Sequence, residues 1–105
     1  QVIDGDYKLC DGIDLLKLPG HSLGLQGALI NTKAGKFLLA SDAVPLKECV
    51  AKIDDGIYGM SSLCADINAF YATFDRMRRL HKEDNVEILA SHDFITLEHS
   101  VYPNL

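Results

Sequence analysis

An α+β or α/β layered domain is what this sequence predicts, and three observations carry that expectation. Short apolar runs separated by turn residues fill the chain up to Ala40, a long run of helical periodicity follows Ser62, and one further apolar run comes after that helix.

Taken in order, Tyr7-Lys8-Leu9-Cys10 and residues 13–18 read as paired strands, because the Asp11-Gly12 between them favours a tight hairpin. Pro19-Gly20 breaks the chain. Residues 26–31 and 36–40 form a second hairpin around the polar turn Thr32-Lys33-Ala34-Gly35. The run Phe37-Leu38-Leu39-Ala40 does not alternate with polar residues, which predicts strands covered on both faces. Residues 45–59 are interrupted by Pro45, Asp54-Asp55-Gly56 and Gly59 and read as a loop with a turn of helix near 47–52. Over residues 62–82, Ile67, Phe70, Tyr71, Phe74, Met77, Arg78 and His81 recur at three- and four-residue steps without Gly or Pro, predicting a helix capped by Ser61 or Ser62. Residues 82–85 turn, 86–90 return as a strand, and 94–101 form a closing helix ended by Pro103.

A chain of 105 residues with 48% hydrophobic and 24% charged composition fits one domain over residues 1–105. Ten Lys+Arg against fifteen Asp+Glu give a net charge of -5, which opposes binding to a phosphate backbone, so nucleic acid is not an expected partner. No run of about 18 apolar residues predicts a membrane span. The opening Gln1-Val2-Ile3-Asp4-Gly5-Asp6 has neither the basic nor the apolar region of a signal peptide. It also lacks an initiating Met, so a trimmed or partial product is expected. The 3 cysteines, Cys10, Cys49 and Cys64, are an odd number without C-x-x-C spacing. They predict buried thiols in a reducing, cytoplasmic compartment rather than disulfides or a cysteine zinc site.

The chemistry gathers at strand ends. Pro19-Gly20-His21-Ser22 follows the second predicted strand, Ala40-Ser41-Asp42-Ala43 the fourth, and Ala90-Ser91-His92-Asp93 the last. Polar residues just past apolar strands project from one edge of a sheet, where such folds bind ligands. Two imidazoles and a carboxylate suit zinc, iron or manganese, and water on such an ion loses its proton near neutral pH. Each residue alone is more commonly a turn or capping group.

Together, residues 18–30, Leu38-Leu39-Ala40-Ser41-Asp42-Ala43 and Ile88-Leu89-Ala90-Ser91-His92-Asp93 resemble the metallo-β-lactamase superfamily, in particular its branch of N-acyl-homoserine lactonases and related metal-dependent hydrolases. The resemblance implies an α+β fold, half of an αββα sandwich with a mixed sheet and flanking helices. It implies that His21 completes the ligands of one metal, Asp42 bridges two, and His92 binds the second, with zinc in both places or iron or manganese instead. Asp42 then belongs to the catalytic centre, and Asp93 orients His92 or the metal water.

The family's His-x-His-x-Asp-His motif has no counterpart here, since His81 and His99 are isolated. The sequence therefore resembles the C-terminal half of such an enzyme, and a half sandwich exposes an apolar face that calls for the missing N-terminal half or for self-association. Ser41 and Ser91 stand where the family commonly has Gly. Pro45 stands where the homoserine lactonases carry a tyrosine, which argues against specific lactonase activity.

Other polar residues read as structural. His81 meets free carbonyls at the helix end, Arg76, Arg78 and Arg79 form a solvated face, His99 is exposed, and Ser22 braces the His21 turn. The expected function is a hydrolase of ester, lactone, thioester or amide-like bonds in a small-molecule substrate, by attack of metal-bound hydroxide, in the intact protein. The piece alone is expected to be inactive. Glyoxalase-like thioester hydrolysis and di-iron redox chemistry remain open, and the rival reading is a metal-free binding or assembly module.

Overall fold

The computed structural model describes residues 1–59, 63–93 and 98. The closing helix expected over 94–101, Glu98 apart, lies outside them, as do His99, Pro103, Ser61 and Ser62.

Five strands, β1 (Tyr7–Cys10), β2 (Ile13–Lys17), β3 (Gln26–Thr32), β4 (Gly35–Leu39) and β5 (Val86–Leu89), form one sheet in the order β1-β2-β3-β4-β5. The first four pair antiparallel and β5 joins β4 in parallel, so the sheet is mixed. Both predicted hairpins are present. Gly12 closes the first at φ +85°, a left-handed conformation that L side chains rarely adopt. In the second, Thr32 braces the loop: its hydroxyl donates to the Gly35 carbonyl at 2.8 Å and accepts from the Ala34 N–H at 3.1 Å.

The loop after β4 holds 3-10 turns at Ser41–Ala43, Lys47–Val50 and Ile53–Asp55, and helix α1 (Ile67–Asp84) leads from there to β5. Helix α1 begins five residues later than the periodicity predicts. The Asp66 carboxylate accepts the Ala69 N–H at 3.0 Å, which satisfies a free amide of the first turn and fixes the start. Asn85, at φ +55°, ends the helix in the left-handed conformation common after a last turn.

Strand register assigns the faces. Leu16, Leu18, Leu38, Ala40, Val86, Ile88 and Ala90 lie on one face and pack with Phe70, Phe74 and Met77 of α1 into the core. Phe74, Leu18, Leu38, Met77, Val44 and Val86 are its largest fully enclosed side chains, each worth roughly 1.5–3 kcal/mol relative to exposure. The opposite face carries Ile13, Leu15, Ala28, Ile30, Phe37, Leu39 and Leu89. Phe37 is buried, Leu39 is 43% exposed and the others are half-buried. The expectation of full cover on both faces thus holds at Phe37 and Leu38 and fails at Leu39, because α1 lies over only one side.

Candidate metal centre

Three turns at one edge of the sheet bring His21, Asp42 and His92 together. The first leaves β2. Gly20 takes φ +143°, and its carbonyl accepts the N–H groups of Ala65 at 2.7 Å and Asp66 at 3.1 Å and the Cys64 thiol at 3.5 Å. The buried Thr73 hydroxyl donates to the Pro19 carbonyl at 2.6 Å, so the approach to α1 and its first turns clamp this segment. His21 Nδ1 lies 3.0 Å from the Leu63 carbonyl. A carbonyl only accepts, so Nδ1 donates in that contact, and Nε2 is the ring nitrogen left facing Asp42.

The second turn follows β4. Ser41 stands at φ +51°, and its hydroxyl donates to the Gln26 carbonyl at 2.8 Å, which ties the turn to β3. Asp42 Oδ1 accepts from His92 Nε2 at 2.9 Å and from the Ser91 hydroxyl at 3.2 Å. Its Oδ2 faces His21 Nε2 at 3.7 Å. The hydrogen bond from His92 holds the Asp42 carboxyl below its ordinary range, helped by the Ser91 hydroxyl and by the charges of His92 and His21 and opposed by burial.

The third turn follows β5 and is zipped to the second. The Ser91 N–H donates to the Val44 carbonyl at 3.0 Å and the His92 N–H to the Pro45 carbonyl at 2.9 Å. Asp93, 6% exposed, accepts the Lys47 N–H on Oδ2 at 2.8 Å and so holds the next 3-10 turn. Side-chain exposure rises from 24% at His21 through 46% at Asp42 to 67% at His92, which leaves the cluster open to solutes.

The donors are imidazole nitrogens and carboxylate oxygens, which suit zinc, iron or manganese. His21 Nε2 and Asp42 Oδ2 face each other at 3.7 Å, and a proton on Nε2 or a cation between the two satisfies both. Among the described residues, however, no group of three or more His, Cys, Asp or Glu side chains is arranged to hold a metal ion. Asp42 is hydrogen-bonded to His92 and stands 3.7 Å from His21, and two ions would need more ligands than the trio offers.

Elsewhere the structure corrects single-residue expectations. His81 meets the Asp54 carboxylate at 2.9 Å instead of helix carbonyls. Arg76 grips Asp6 through both terminal guanidinium nitrogens, at 3.0 and 2.7 Å, and Arg78 pairs with Asp75 at 2.7 Å, while Arg79 is exposed as expected. Cys10 is exposed, while Cys49 and Cys64 are half-buried. The His21 turn is closed by the Ser22 carbonyl, which accepts the Gly20 N–H at 3.1 Å. A cavity of about 760 Å³, lined by Lys36, Phe37, Ile53, His81 and Val86 among others, contains none of the trio.

No family model matches the chain. It is 49% identical over 49 residues to an N-acyl homoserine lactonase of Bacillus cereus, a match of 46% of this chain and 20% of that protein. A solved N-acyl homoserine lactone hydrolase, with the product N-hexanoyl-L-homoserine at its catalytic metal center, superposes with a TM-score of 0.76 at 28% identity, over 99% of this chain and 40% of that one. A dizinc quorum-quenching lactonase superposes with a TM-score of 0.62 over 87% of this chain and 30% of that one, a likeness of fold at 18% identity. The match thus spans a fifth of the curated relative's length and two-fifths of the first solved structure's.

Proposed function

We propose that the chain is a C-terminal part of a metallo-β-lactamase superfamily fold in its lactonase branch, a reading supported by its likeness to N-acyl homoserine lactonases, and that the protein containing it is a metal-dependent hydrolase of small-molecule lactones or esters. Thioester and amide-like bonds stand behind these. The observation that carries this reading is the convergence of His21, Asp42 and His92 on one edge of the sheet, with Nε2 of His21 turned toward Oδ2 of Asp42.

His21 and His92 would each give a ring nitrogen and Asp42 its two oxygens, with the remaining ligands from the rest of the protein. The expected metal is a pair of zinc ions, for which iron or manganese can substitute on the same donors. A bound divalent cation supplies Lewis acidity toward a carbonyl and lowers the pKa of water. The protein's own part is to prepare the ligands. The Leu63 carbonyl keeps the His21 proton on Nδ1 and so leaves Nε2 to an ion, while His92 would have to shift its ring proton to Nδ1 to offer the Nε2 that now donates to Asp42. Asp93 would steady the His92 turn through its bond to the Lys47 N–H. Pro45 contributes a carbonyl to that turn and no phenol, so this position gives a substrate carbonyl no hydroxyl donor.

The half-buried apolar face of the sheet, open at Leu39, fits cover by the rest of a longer protein, since the chain spans two-fifths of a solved relative's length. Self-association is the alternative cover. The free thiols of Cys10, Cys49 and Cys64 support a cytoplasmic location, and no helix among the described residues is long and apolar enough to cross a membrane.

The test is elemental analysis and lactone turnover in the full-length protein carrying His21→Ala, Asp42→Ala or His92→Ala. Each is expected to lower metal content and to cut turnover by at least about 100-fold. Wild-type metal loading in all three sinks the proposal and leaves a metal-free binding or assembly module.

A further inference from the structure

We propose that Ser91 is a positioning residue for Asp42, setting the plane of its carboxylate so that Oδ2 stays turned toward His21. The inference rests on the reading of Asp42 as a ligand and goes beyond it, because it gives a task to a residue that is not itself a donor in that set.

Two bonds of Ser91 carry the argument. Its N–H donates to the Val44 carbonyl at 3.0 Å, which fastens the turn after β5 to the segment two residues beyond Asp42. From that anchored backbone its hydroxyl reaches Asp42 Oδ1 at 3.2 Å. The same oxygen accepts His92 Nε2 at 2.9 Å, so Oδ1 is held from two directions and rotation of the carboxylate about its last bond is restrained. Oδ2 is left on the side of His21, 3.7 Å from Nε2. Were Nε2 of His92 to hold an ion instead, its hydrogen bond to Oδ1 would be lost, and among the described residues the Ser91 hydroxyl would be the donor still holding that oxygen. Glycine at this position provides no such donor. Ser91 is exposed, so removing its hydroxyl opens no cavity in the core.

The experiment titrates the apo full-length protein with zinc alone against a chelator of known affinity, comparing wild type with Ser91→Ala, Ser91→Thr and Asp42→Ala. Ser91→Ala is expected to bind zinc about tenfold more weakly with an unchanged thermal midpoint, and Ser91→Thr, which restores the hydroxyl, to recover most of that loss. Zinc affinity of Ser91→Ala within twofold of wild type, beside a weakened Asp42→Ala, overturns the proposal and leaves the metal reading intact. A loss in Ser91→Ala that threonine does not reverse overturns it as well, since the hydroxyl is then not the cause. Wild-type affinity in Asp42→Ala overturns the ligand reading and this inference with it.

Discussion

The backbone of Phe70 fills the space where a side chain at Gly20 would begin: a β-carbon on Gly20 would lie 2.6 Å from the Phe70 Cα and 2.8 Å from its Cβ. His21 follows directly, so the close approach of α1 to this turn sets where one donor of the candidate site can stand. Gly20→Ala adds a methyl group in collision with helix backbone at a φ that L residues avoid. It is expected to destabilise the fold by about 2–4 kcal/mol and to displace His21. Denaturant unfolding checks the first effect and zinc titration of the full-length protein the second.

Thr73 makes the same contact from the helix side. Thr73→Val keeps the shape but leaves the half-buried Pro19 carbonyl without its 2.6 Å donor, at an expected cost of about 1 kcal/mol. Thr73→Ser should regain most of the difference. Equal losses in the two variants would assign the effect to packing.

Acid should loosen the segment before β1. Asp6 is held below its ordinary range first by the Arg76 hydrogen bonds, then by the Lys17 N–H and the Arg76 charge, with burial opposing. A lowered carboxylate contributes stability that is fully present above the unfolded value, about 3.9, and is lost as pH falls through the folded one. The pair is half exposed, so about 0.5–1 kcal/mol is at stake. Thermal unfolding from pH 6 down to about pH 2 should show that loss in wild type, and Asp6→Asn should lack this part of it.

Leu39 reports on what covers the open face of the sheet. If the rest of a longer protein lies there, Leu39→Asp should destabilise the full-length protein by about 2 kcal/mol or more, because it buries an unpaired charge. The isolated 105-residue chain should hardly change in stability and should associate less on sedimentation. Equal effects in both would show that the longer protein leaves this face uncovered.

Much of this architecture is written locally. Asp11-Gly12 and the loop at Lys33 and Ala34 specify hairpins through a few adjacent residues, and apolar steps of three and four specify α1. The start of α1 was also readable: Asp66 stands three residues before the amide it caps, but two serines farther upstream suggested an earlier beginning. The three donors were legible because each sits just past a strand. Their supports were not. Ser41 in a left-handed turn and Ser91 bonded to Asp42 depend on backbone conformations and neighbours that no short window contains. The pairs His81 with Asp54 and Arg76 with Asp6 join residues 27 and 70 positions apart, so burial and helix placement must come first.

The parallel pairing of β4 and β5 frees one stretch of chain from the geometry of the site. Asp42 and His92 are 50 positions apart, yet their separation is fixed by adjacent strand ends and by two backbone bonds between the turns that follow them. The chain between the Lys47 turn and Leu63 can therefore change composition with little effect on how the Asp42 and His92 side chains meet, while residues 63–66 stay tied to the His21 turn. Descendants of such a fold can vary there, around a centre whose spacing they inherit unchanged.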